Sequence, residues 1–332
     1  MSVSNAQEGP GPFMGLDIAY SPDGSRIAVA GGYGSCQVEA SLNAVQIWNA
    51  AVDDQLFLLT GHTCSPTSVD WNADGTKIAS SGADGLSLIW DVESATRIAS
   101  VGDGGSRFGR YDVQWHPDGE YIADTNRQGA SLTIWSAETG LLFHSLKLAD
   151  ESESRQTEFG IPAFDWSPDG RWLAVALFNG EIGQIQIWDV EAIGEADAPR
   201  HRSTFDTIEL HALRWSPNSA HIAIGSANTV LVLDSVTGET IRAFDGHENF
   251  VLDLDWSPDG TRLASASYDN TVRLWDVFSG VELRKYDAEG FITAVSWSPD
   301  DEKIIFTGQA ATMEQPFQTV DAPPALAIDE VE

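Results

Sequence analysis

Two stretches of the chain set the same four polar residue types at the same intervals: His62, Ser80, Asp84 and Trp90, and His247, Ser265, Asp269 and Trp275. In each, the serine, aspartate and tryptophan follow the histidine by 18, 22 and 28 residues. Serine, histidine and aspartate are the ingredients of nucleophilic catalysis, with the imidazole as base and the carboxylate as its orienter. The same groups can also chain donors to acceptors around a buried indole N–H, so that no polar group in a core is left unpaired. The second chemistry fits better, because the set occurs twice and each time ends on a tryptophan. No catalytic residue is assigned, and the eight residues are expected to form two structural tetrads.

Such a network needs elements to carry it, and the chain repeats them. One tract recurs seven times, as AYSPDG at Tyr20, DWNADG at Trp71, QWHPDG at Trp115, DWSPDG at Trp166, RWSPNS at Trp215, DWSPDG at Trp256 and SWSPDD at Trp297. The steps between these anchors are 51, 44, 51, 49, 41 and 41 residues. Each copy has one physical reading. An alternating apolar run such as VLDLDW is a half-buried strand. The Ser-Pro-Asp-Gly that follows is a tight turn, with proline presetting φ and glycine accepting positive φ. A second strand follows (RLASAS, KIASSG), then a third ending in an aromatic and a polar residue (VQIWN, SLIWD, IQIWD, VRLWD), then a weaker fourth (QLFLLTGH, TIRAFDGH). Short strands with a turn every 8 to 12 residues leave no room for crossover helices, which excludes a parallel α/β fold.

The Gly-His, Ser-Pro-Asp-Gly and Trp-Asp signatures, spread over nearly the whole chain, make it resemble the WD-repeat (Trp-Asp repeat) β-propeller family. The resemblance implies an all-β fold, a single seven-bladed β-propeller of four-stranded antiparallel blades. It also implies one domain over 1–332, with approximate blades 14–60, 67–101, 111–147, 161–207, 210–244, 251–286 and 292–332, and with 1–13 flexible or supplying a closing strand. Several blades depart from the pattern. Blade three has Gly129 and blade four Ile182 where the turn aspartate belongs, blade five has Leu233 in place of tryptophan, and blade one lacks a preceding Gly-His. These blades, one included, are therefore expected to rely on packing alone, with blades three to five the soft part of the ring. Either Ser2–Gly11 or the tail Ala325–Val331 closes blade seven. The tail alternates better and is favoured.

Fifty acidic against eighteen basic residues give a net charge of −32. That balance argues against nucleic acid, whose phosphates are held by clustered Lys and Arg. No apolar run approaches the roughly 18 residues of a membrane helix, and Met1–Pro12 has no signal-like apolar stretch, so a cytoplasmic chain with no membrane partner is expected. Cys36 and Cys64 have no metal or redox spacing and are expected as free thiols, or as a disulfide if their Cα atoms lie within about 7 Å.

The expected function is a non-enzymatic protein–protein interaction scaffold or complex subunit, monomeric or part of a hetero-complex, that uses no cofactor and no metal. Its partners would be other proteins or peptides, basic ones among them, held at the top face and channel mouth. The insertions at 31–43, 102–110 and 148–160 map to that face, and 191–202 to the opposite one. The candidate contacts are Asp17, Asp112 and Asp253, each three residues before an anchor, with Tyr33, Phe108, Tyr111, Phe159, Phe250, Tyr268 and Phe291 as apolar anchors. Glu151, Glu153 and Glu158 would add to an acidic rim. The alternative is a small-substrate or metal-binding propeller enzyme working at the channel mouth, with the three aspartates holding Ca²⁺. No nucleophile elbow, zinc motif or phosphate loop supports it.

Overall fold

A computed structural model of the chain describes residues 13–34, 36, 39–51, 54–102, 112–126, 131–147, 160–178, 183–192, 201–207 and 210–324. They form seven antiparallel sheets, each in sequence order, six of four strands and a seventh with three described strands. Blade one comprises Met14–Tyr20, Arg26–Gly32, Val45–Asn49 and Asp54–Leu59. Blade six, the most regular, comprises Val251–Trp256, Arg262–Ser267, Thr271–Asp276 and Glu282–Asp287. Blade seven has Ile292–Trp297, Lys303–Gly308 and Gln318–Asp321. Both candidate closing segments, Ser2–Gly11 and Ala325–Val331, lie outside the described residues.

The turns explain the hairpins. In blade six the Ser257 hydroxyl donates to Asp259 at 2.6 Å, the same carboxylate accepts the Thr261 N–H at 2.9 Å, and Gly260 takes φ +71°. Blades five and seven place Ser219 (φ 57°) and Asp301 (φ 67°) at the position where the other copies have glycine. Side chains alternate across each strand, so every blade offers one apolar face to the blade before it and one to the blade after. Accordingly the buried apolar residues separate into seven clusters, one at each blade junction. The ring closes where Ile18, Ile27 and Trp48 of blade one meet Ala294, Ile305 and Phe317 of blade seven. The Thr293 hydroxyl donates to the Gly15 carbonyl across that junction at 2.8 Å.

Cys36 and Cys64 are joined as a disulfide, with Cα atoms 4.1 Å apart, so the free-thiol expectation gives way to the pair. The two cysteines, 28 residues apart in sequence, meet where the end of the second strand of blade one lies against the start of blade two, with the Gly34 N–H donating to Ser65 Oγ at 3.3 Å.

Candidate functional site

In both tetrads the side chains form one chain of hydrogen bonds. In blade two the Trp90 indole N–H donates to Ser80 Oγ at 2.8 Å, Ser80 Oγ lies 2.8 Å from His62 Nε2, and His62 Nδ1 lies 3.1 Å from Asp84 Oδ1. The Thr63 N–H donates to the other carboxylate oxygen at 2.7 Å. Blade six matches, with Trp275 to Ser265 at 2.9 Å, Ser265 to His247 at 2.7 Å and His247 to Asp269 at 2.8 Å. Both serines are fully buried, so neither hydroxyl is open to a substrate. Burial alone would raise the Asp84 and Asp269 carboxyls. Their bonds from histidine, threonine and backbone N–H groups outweigh it and hold both below the ordinary value. Burial pushes the His247 imidazole down, toward its neutral form. A neutral imidazole can accept the serine proton at Nε2 while donating at Nδ1.

Two blades without a tetrad still pair their tryptophans. The Trp48 N–H donates to Gln46 Oε1 at 2.9 Å. In blade three, the Trp135 N–H donates to Asp124 Oδ1 at 2.9 Å, and the Ser87 hydroxyl of blade two donates to Asp124 Oδ2 at 2.9 Å. The expectation that blades one and three rest on packing alone is therefore corrected, because Gln46 in blade one and a strand-two carboxylate in blade three accept the bond that serine accepts in the tetrads.

A further polar constellation among the described residues lies in the channel wall, on the residues just before each anchor. The residue one before the anchor reaches the next blade at six of the seven junctions. Asp70 accepts the Trp115 N–H at 2.7 Å, Asp165 accepts that of Trp215 at 2.6 Å, and Asp255 accepts that of Trp297 at 2.6 Å. Gln114 donates to the Phe164 carbonyl at 2.8 Å, Arg214 pairs with Asp253 at 2.9 Å, and Ser296 accepts the Tyr20 N–H at 3.4 Å. Blade one has Ala19 there, and Asp17, two residues earlier, accepts the Val69 N–H at 2.9 Å instead. The indoles of Trp71, Trp215 and Trp256 add return bonds to the carbonyls of Ala19, Asp165 and Arg214.

Asp17, Asp112 and Asp253 thus stand in a wall already engaged: Asp17 with Val69, Asp112 with the Ser68 hydroxyl at 2.9 Å, and Asp253 with Arg214 and with the Val295 N–H at 3.0 Å. Burial pushes the Asp70, Asp165 and Asp255 carboxyls up to about 7 and those of Asp112 and Asp253 to about 6, and raises Asp17 as well. Burial also works against the charge of Arg214, but the surrounding carboxylates, led by Asp253, more than offset it. Among the described residues no group of three or more His, Cys, Asp and Glu is placed to hold a metal ion, so the alternative in which Asp17, Asp112 and Asp253 hold Ca²⁺ gains no support. The sequence did carry a signal for the wall, since three of the seven tracts read Asp-Trp at the anchor.

The apolar candidates gather at the edge where first strands begin and second strands end. Tyr268 packs on Phe291 with ring centroids 4.7 Å apart, Phe250 on His211 at 4.8 Å, and Tyr33 on Phe13 at 5.8 Å. The Tyr268 N–H donates to the Phe250 carbonyl at 3.0 Å, so the backbone links the Phe250 and His211 pair to the Tyr268 and Phe291 pair. Glu248 and Glu289 are exposed nearby in sequence. Phe108, Tyr111, Phe159, Glu151, Glu153 and Glu158 lie outside the described residues.

The family model for the WD domain, G-beta repeat, matches residues 53–91 and 238–276, the stretches that hold the two complete tetrads. Together with the seven-bladed ring this shows that the chain is a WD-repeat β-propeller. It is similar to Protein HIR1 of Cryptococcus neoformans var. neoformans serotype D, 31% identical over 57% of this chain and 20% of that protein. It is also similar to eukaryotic translation initiation factor 3 subunit I of Kluyveromyces lactis, 26% identical over 59% of this chain and 56% of that protein. A third relative is the small ribosomal subunit protein RACK1y of Oryza sativa subsp. japonica, 26% identical over 46% of this chain and 42% of that protein. The chain thus spans between about a fifth and a little over half of these relatives. No helix among the described residues is long and apolar enough to cross a membrane.

Proposed function

We propose that the chain is a non-enzymatic interaction platform that holds segments of other proteins, basic ones above all, on the face where first strands begin. The observation that carries this reading is the Tyr268 and Phe291 ring pair, with Phe250 joined to it through the backbone, and the exposed Glu248 and Glu289 nearby in sequence. Aromatic faces next to carboxylates attract lysine and arginine side chains by cation–π and Coulomb terms together. The channel aspartates add long-range field rather than contacts, since their oxygens are committed to neighbouring blades. Names such as translation factor subunit and ribosomal subunit protein among the relatives accord with a role inside assemblies.

Affinity purification with mass spectrometry, comparing the wild type with a Phe250→Ala, Tyr268→Ala variant, tests the reading. Partners missing from the variant alone support it, and equal recovery of every partner removes it. A cytoplasmic location is the companion proposal, and the disulfide opposes it, because cytosolic thiols are kept reduced. Thiol titration of protein from its native source, alkylated at lysis, decides: two free groups support the cytoplasm, none an oxidising compartment.

A further inference from the structure

The thioether of Met313 stands in a hydrogen bond that crosses the closure of the ring. Met313 sits in the turn Thr312–Gln315, where the Thr312 N–H donates to the Gln315 carbonyl at 3.0 Å and the Gln315 N–H donates to Thr312 Oγ1 at 2.9 Å. From that turn its Sδ accepts a hydrogen bond from Gln46 Nε2 of blade one at 3.1 Å. Gln46 is fully buried, and the Trp48 indole fixes the sense of its amide by donating to Oε1, which leaves the nitrogen facing the sulfur. A thioether is a weak acceptor, yet here it meets a donor shut away from water. Phe317 packs edge-on against Trp48 with ring centroids 5.7 Å apart, so two side chains of blade seven hold the same Gln46 and Trp48 pair. The segment between them is not tightly filled. A cavity of about 140 Å³ is lined by Ala310, Ala311, Thr312, Gln315 and Phe317 among other residues, and close packing does not pin this loop in place. Met313 is half-buried, within reach of a small solute. Cys36 and Cys64 are joined, so the described residues hold no free thiol to react in its place, and Met14 is the other methionine among them.

We infer that Met313 is a reversible oxidation site whose sulfoxide loosens the closure of the ring. The oxidant is hydrogen peroxide. The sulfur lone pair attacks one peroxide oxygen, an S–O bond forms as the O–O bond breaks, and the proton on the transferred oxygen passes to the departing hydroxide, which leaves as water. The sulfur has then lost two electrons. A dithiol acting through a methionine sulfoxide reductase returns them, releasing the oxygen as water and leaving a disulfide. The sulfoxide does not fit where the thioether stood. An oxygen accepting the Gln46 N–H needs about 2.9 Å of its own from the nitrogen, so a sulfur at 3.1 Å must withdraw to admit it. An oxygen added on the solvent side instead draws charge off the sulfur and leaves the buried N–H with a poorer acceptor. By either route the amide that holds Trp48 is released, and blade seven loses a hold on blade one.

Peroxide treatment of the full chain in a Met14→Leu background tests the inference, with peptide mass spectrometry locating the added oxygen and thermal unfolding reading the ring. Conversion of Met313 to the sulfoxide is expected to lower Tm by about 3 °C or more, to speed hydrogen exchange in Val45–Asn49, and to be undone by methionine sulfoxide reductase with dithiothreitol. Met313→Leu keeps an apolar side chain of similar size without the sulfur, so peroxide should leave its Tm unchanged. Gln46→Leu removes the donor, so oxidation of Met313 there should shift Tm by less than half as much. Complete oxidation of Met313 with no change in Tm overturns the inference. So does a shift as large in Gln46→Leu as in its parent, or a wild type in which peroxide converts Met14 and spares Met313.

Discussion

Asp269 and Asp165 are both aspartates in the blades of one ring, yet the folded protein moves their carboxyls in opposite directions. Asp269 meets His247, the Thr271 hydroxyl and the Glu248 N–H, and these donors overcome its burial. Asp165 accepts one backbone N–H from Trp215 and stands among other carboxylates that share a single guanidinium, so burial wins. The comparison teaches that burial does not by itself set the charge state of an aspartate. The ratio of donors to carboxylates does.

The broadest way to break that comparison is a pH series. A carboxyl whose folded pKa is raised binds its proton in the folded state first, so folding stability rises as pH falls through the folded value. The channel carboxyls at about 6 to 7 should therefore make the protein more stable at pH 5 than at pH 8, with a slope on the order of 1.4 kcal/mol per pH unit for each proton taken up. The depressed Asp84 and Asp269 carboxyls give the opposite sign, a stability present above the unfolded value near 3.8 and lost below it. Denaturant unfolding between pH 3 and 8 should then show a maximum near pH 5. A curve that climbs steadily to pH 8 contradicts the channel assignment.

Asp269→Ala comes next, with a loss of roughly 3 kcal/mol, because it strips the acceptor from a buried histidine and a backbone N–H. Chemical denaturation at pH 7 measures it, and a loss under about 1 kcal/mol would mean the tetrad contributes little. Gln46→Leu should lower stability by about 1 to 2 kcal/mol, since the Trp48 indole loses its acceptor in the blade one core. An unchanged midpoint would show that indole to be satisfied some other way. Asp165→Asn is the smallest change and the sharpest contrast. A carboxamide oxygen still accepts the Trp215 N–H without adding charge, so stability at pH 8 should rise or hold, within about 1 kcal/mol, and the slope between pH 8 and 5 should flatten.

Much of this was legible in the sequence. The seven anchors, the turns and the two tetrads follow from local spacing, because a hairpin and a hydrogen-bond chain within one blade join residues at fixed short separations. The channel wall was half legible. Asp70, Asp165 and Asp255 stand one before a tryptophan, but alternation shows only that a residue shares a face, not what it meets in the next blade. Blade three's rescue by Asp124 was not legible, since its acceptor comes from a strand position where the intact blades have serine. The Cys36–Cys64 pairing depends on two loops approaching across a blade junction, which spacing does not encode.

The sequence by itself determined a seven-fold array of hairpins, two complete tetrads and a strongly acidic surface, because propensity, turn chemistry and composition act within a blade. The tertiary structure alone decided which polar groups bridge neighbouring blades and which carboxyls rise or fall. Those outcomes depend on distances between segments some 40 to 50 residues apart, fixed only when the ring closes and the channel becomes too poor in donors for the carboxylates it encloses.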